Sequence, residues 1–124
     1  MDPDELRGLM EWDDLPEGSM FGYGEVSMSR KGLDAALLSM EELLVQGHNV
    51  SKVTLGFDPM YLRFKGMLDL QGHVNQIALR KAIMRELPRM CPEFNSLCYV
   101  AVLHGEAENV HCHLVMVEAD VVRS

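Results

Sequence analysis

No stretch of this 124-residue sequence approaches the about 18 consecutive apolar residues that a membrane-spanning helix needs. The opening MDPDELRGLMEWDD is acidic where a secretion signal would be basic and then apolar. Both absences lead to the expectation of a soluble cytoplasmic protein. Cysteine is scarce as well: Cys91, Cys98 and Cys112 are odd in number and form no CxxC pair. The pattern points to reduced, partly buried thiols rather than to a disulfide framework or a thiolate zinc site. Basic residues are outnumbered, 11 against 19 acidic, for a formal net charge of −8. A simple nucleic-acid glue is thereby excluded, because phosphate binding rests on Lys and Arg.

The deficit is uneven. Residues 1–20 hold Asp2, Asp4, Glu5, Glu11, Asp13, Asp14 and Glu17 against Arg7 alone, whereas between Arg30 and Arg89 basic residues outnumber acidic ones. A basic face on the body of the protein is compatible with that pattern. With Pro3, Pro16 and Gly18, residues 1–20 read as a poorly ordered acidic arm, or one with a short helix around Leu6 to Trp12, suited to a protein partner. Residues 21–124 read as a single domain, since 48% hydrophobic and 24% charged residues suit one globular core at this length.

Within that domain FGYGEVSMS reads as a first strand ending at Ser29, a candidate helix cap. Residues 30–46 repeat Leu33, Ala36, Leu37, Met40, Leu43 and Leu44 at helical spacing, and Gly47 suits the stop. A second strand is expected over residues 50–57, ending near Gly56 and the Asp58-Pro59 pair. Residues 61–70 fit either a strand resumed after a bulge or an irregular crossing. A second helix is expected over residues 73–90, with Val74, Ile77, Ala78, Met84 and Leu87 inward, Arg80, Lys81 and Arg85 outward, and Pro88 fraying its end. Two nearly continuous apolar strands follow, LCYVAVL and VHCHLVMV, joined by the short turn at residues 105–109. The expected fold is α/β in the α+β sense: one antiparallel or mixed β-sheet with two main helices packed on it and a central hairpin.

That hairpin carries the chemistry. Alternate strand residues share a side, so His111 and His113 lie on one face with Cys112 on the other. If the turn sets His104 opposite His111, then Val102 faces His113 and all three imidazoles share that face. Three neutral nitrogen ligands with open positions make a divalent-metal site of the catalytic rather than the structural kind. Three desolvated imidazoles otherwise need polar partners. His48 and His73, beside helix ends, read as solvent-facing or capping residues.

The segment YVAVLHGEAENVHCHLVMVEAD resembles the metal-binding motif of HUH endonucleases, most closely that of conjugative relaxases. There an upstream histidine at a strand end is followed seven or eight residues later by a His-hydrophobic-His-hydrophobic run. His104 matches the upstream histidine, and His111 and His113 match the pair. The resemblance implies a minimal mobilisation nuclease of a mobile element or plasmid, using Mg or Mn and acting on single-stranded DNA. A metal-polarised phosphate would be attacked by a tyrosine to leave a 5′-phosphotyrosyl link.

Eleven residues follow His113 and none is Tyr, so the nucleophile is expected upstream, as in the permuted relaxase order. Tyr23 and Tyr61 are alternative candidates, while Tyr99 lies in a core strand. Arg63 and Lys65 beside Tyr61, with Arg80 and Lys81 on the second helix, are the expected phosphate-binding cations. Glu106 and Glu108 are either acceptors that orient an imidazole or a solvated turn. Two other expectations compete. One is a histidine-triad-like nucleotide phosphohydrolase, with Asn109 where that family's first histidine belongs. The other is a non-catalytic metal-binding or regulatory module derived from the same fold.

Overall fold

The computed structural model describes residues 16–90, 97–104 and 109–118. Cys91, Gly105, Glu106, Glu108 and the segment from Leu6 to Trp12 lie outside them, as does most of the expected acidic arm. Residues 16–20, assigned above to that arm, are part of the body: β1 (Met20–Gly22) begins there, and the Glu17 carboxylate accepts from the Arg30 amide at 3.0 Å.

The two apolar runs form β3 (Leu97–His104) and β4 (Val110–Glu118), the central strands of a four-stranded antiparallel sheet whose edges are β1 and β2 (Val50–Phe57). Central position explains their continuous hydrophobicity, since both faces are covered. On one face Val100, Val102, Val115 and Val117 pack with Met20 and Met28 against α1 (Arg30–Val45), which buries Leu33, Ala36, Leu37 and Met40. On the other, Tyr99, Ala101, Leu103, Cys112, Leu114 and Met116 meet α2 (Pro59–Phe64) and α3 (Gln76–Met90) through Leu62, Leu79, Ile83 and Leu87. Each fully buried aliphatic side chain contributes about 1.5–3 kcal/mol. The expected α+β architecture is therefore what forms.

Local chemistry sets the boundaries. Ser29 Oγ accepts from Gly32 N at 3.0 Å and opens α1; Gly47, at φ 92, closes it by letting the His48 amide reach Leu43 O at 3.0 Å. The first strand is shorter than the sequence suggests. Gly22 and Glu25 exchange backbone hydrogen bonds around Tyr23 and Gly24, whose φ values of 51 and 79 are those of a tight primed hairpin turn. Gly22 cannot be replaced, because a Cβ there would run into the Tyr99 carbonyl oxygen.

Residues 61–70 follow neither expected course. Asp58 accepts from Met60 N at 2.9 Å and Pro59 takes the first helical position, so the pair that ends β2 also starts α2. A turn closed by the Leu68–Val74 bridge then leads to α3, which begins at Gln76 rather than His73 and runs through Pro88. Its inward face also differs from the expected one: Leu79, Ile83 and Leu87 are buried and Ile77 is exposed. Cys98 and Cys112 are free thiols, half-buried and buried, and burial pushes the Cys112 thiol up to about 12. Among the described residues no helix is long and apolar enough to cross a membrane.

Candidate functional site: a histidine face

The β3–β4 register pairs His104 with His111 and Val102 with His113, so the period-two alternation of the strands sets all three histidines on one face. It is the face whose other half packs on α1. The rings are mutual neighbours, with centroids 5.3 Å apart for His104 and His111, 5.5 Å for His104 and His113, and 4.8 Å for His111 and His113. His104 is exposed and the other two are half-buried, so the cluster is open to a ligand on its outer side.

Two of the rings are held by their Nδ1 atoms. His111 Nδ1 lies 3.3 Å from Asn109 O, and a carbonyl can only accept; this bond assigns the proton to Nδ1 and leaves the Nε2 lone pair exposed. His113 Nδ1 lies 3.2 Å from Thr54 Oγ1, across the β2–β4 pairing that sets Thr54 opposite His113. Burial holds the His113 pKa below the ordinary imidazole value, aided by His111, His104 and the Lys52 ammonium on the same face of β2. His113 is therefore kept in the neutral form a metal requires. Three imidazole nitrogens suit a divalent ion in kind and in number. As placed, no group of three or more His, Cys, Asp or Glu among the described residues is arranged to hold an ion.

The other expected site residues are dispersed. Tyr23 follows Gly22, which pairs with Val100, so the strand direction carries it away from His104 by roughly 13 Å or more of strand. Its hydroxyl is buried beside the Cys98 thiol, and burial together with that thiol raises its pKa. Tyr61 is on α2, which starts just beyond the histidine end of β2, with its side chain 55% exposed. It lines a cleft on the opposite sheet face with Lys65. Arg63, Lys65 and Lys81 are exposed.

Arg80 corrects the expectation of an outward phosphate-binding cation. It is only 7% exposed, and its guanidinium donates to Gly18 O at 2.8 Å, Val26 O at 3.0 Å and Ser19 O at 3.3 Å. Its Nε donates to Gln76 Oε1 at 3.0 Å. Those donors are spent on fastening the loops around β1 to α3. His73 is exposed and sits before α3, where its amide donates to Asp69 Oδ1 at 2.8 Å.

Thr54 and Lys52 were not anticipated. Only the pairing of β2 with β4 brings them beside His113, and nothing in the sequence of residues 50–57 declares that partner.

No curated protein and no solved structure matches the chain significantly. The family model of the MobL relaxases, however, matches residues 9–124, nearly the whole sequence and all of the histidine-bearing hairpin. The likeness read from the hairpin thus extends over the entire fold, and this chain belongs to the MobL relaxases.

Proposed function

We propose that the chain nicks single-stranded DNA at the histidine face, with His104, His111 and His113 holding a magnesium or manganese ion. The observation that carries this reading is the meeting of three imidazoles on one open sheet face in a member of a relaxase family. The strand register already sets the three rings on one face, and rotation of the side chains would be needed for their nitrogens to converge on an ion. When bound, the ion would polarise the scissile phosphate and offset its developing charge.

The remaining work falls to the protein. Asn109 O and Thr54 Oγ1 hold His111 and His113 by their Nδ1 atoms, which would leave the Nε2 atoms to the ion. A tyrosine hydroxyl would attack phosphorus and lose its proton to solvent. The bond to the 3′ oxygen breaks, that oxygen takes up a proton, and a 5′-phosphotyrosyl link remains. Tyr61 is favoured over Tyr23 in this role by accessibility alone: it is exposed, on the sheet face opposite the histidines, whereas the Tyr23 hydroxyl is buried and its pKa raised. Family membership displaces the nucleotide-hydrolase alternative.

The test is a denaturing-gel assay for covalent adducts between the protein and a pool of labelled single-stranded oligonucleotides in Mn²⁺. An adduct that forms with the wild type and Tyr23→Phe but is lost in His111→Ala and Tyr61→Phe is expected. Loss in Tyr23→Phe alone would transfer the role to Tyr23. Absence of any adduct or nick with the wild type would favour a non-catalytic module.

A further inference from the structure

The segment Met60-Tyr61-Leu62-Arg63-Phe64-Lys65 has an unusual surface for a helix that stands at the end of an edge strand. Leu62 alone is buried and anchors it. Phe64 is 83% exposed, Met60 69% and Tyr61 55%, although burying them would stabilise an ordinary fold. The Lys65 ammonium lies 5.7 Å from the Tyr61 ring centroid and 5.9 Å from that of Phe64, so one cation sits over two outward-facing aromatic rings. Arg63 adds a second exposed cation. The flanking carboxylates are engaged locally, Asp58 in capping the Met60 amide and Asp69 in accepting from the Gln71 and His73 amides. Next to the rings, Tyr61 and Lys65 border a cleft of about 480 Å³ walled by Leu55, Phe57, Met67 and Ile83. A volume of that order admits a planar ring system.

From this juxtaposition we infer that α2 is a base-stacking platform for single-stranded DNA, with Tyr61 and Phe64 receiving bases and Arg63 and Lys65 meeting the adjoining phosphates. Aromatic faces alternating with cations are the combination that binds single strands without sequence preference. A phosphate site alone would lack the exposed rings. The position suits a strand that also crosses the histidines. α2 and the histidines lie on opposite faces of the sheet, but β2 is its edge, so a strand could pass round that edge, where Gly56 opposite His111 has open space in place of a side chain. The inference rests on the nicking reading for the identity of the strand, but it assigns a separate surface on which affinity, rather than cleavage, depends.

Fluorescence anisotropy of the full chain with a labelled oligothymidylate, and with an abasic oligonucleotide of equal length, tests it. Phe64→Ala is expected to weaken oligothymidylate binding by roughly five- to a hundredfold, with Phe64→Trp restoring it. The abasic probe should be insensitive to either change. Tyr61→Phe should keep the stacking affinity, even if its loss of the hydroxyl abolishes a covalent adduct. Mn²⁺ binding by the same variants reports on the histidine face independently. A wild type that binds neither Mn²⁺ nor forms an adduct, yet shows the Phe64 effect, would refute nicking and leave the platform standing. Equal affinity of Phe64→Ala and wild type for oligothymidylate would overturn the platform. So would a Phe64→Ala effect confined to breaking a dimer in size-exclusion chromatography, which would identify the surface as a self-association face.

Discussion

Thr54 Oγ1 on the edge strand lies 3.2 Å from His113 Nδ1 on the strand beside it, and this contact ties the histidine face to β2. Removing the hydroxyl while keeping the branched shape, as in Thr54→Val, should leave the fold intact and free the His113 ring to rotate. Metal affinity by isothermal titration with Mn²⁺ is expected to fall about tenfold or more. Unchanged affinity would mean that Thr54 only lies near the ring.

Arg80 is a fastener, with four of its five N–H donors spent on Gln76, Gly18, Val26 and Ser19. Arg80→Met keeps much of the apolar stem but leaves the carbonyls of Gly18, Ser19 and Val26 without their partner. Chemical denaturation should show a loss of about 3 kcal/mol. DNA affinity of the folded fraction should change little, in contrast to substitutions at Arg63 or Lys65.

The hydrogen bond from the His73 amide holds the Asp69 carboxyl below the usual carboxylate range, aided by the Gln71 amide at 2.9 Å. A depressed folded-state pKa means that the unfolded chain binds more protons in acid. The contribution is therefore present above the ordinary Asp value of about 3.9 and is lost as pH falls through the lower folded value. Unfolding midpoints of Asp69→Asn should be lower than wild type at neutral pH and should converge with it in strong acid. Parallel curves at all pH values would contradict this.

How much of this was legible beforehand depended on which interactions are local. The histidine face could be read because strand alternation fixes which side His111 and His113 occupy, whatever else the chain does. Thr54 and Lys52 could not, because their closeness to His113 depends on the register between β2 and a strand about sixty residues further on. Asp58-Pro59 was visible as a strand stop, yet the same two residues serve as helix cap and first turn, and only Leu62 finding a core site selects the helix. Arg80 has the helical position of a surface cation. Its burial follows from the carbonyls that the loops around β1 turn towards α3, which no periodicity records. Tyr61 and Phe64 carry an aromatic pattern that suggests packing, and exposure alone shows otherwise.

Metal binding by the histidine face is the property on which the proposed nicking depends. Isothermal titration of the metal-free protein with Mn²⁺ should show one site per chain, weakened at least tenfold by His111→Ala and by His104→Ala. Circular dichroism should show both variants still folded. A wild type that takes up no ion, or variants that bind it as tightly as wild type, would contradict the central claim.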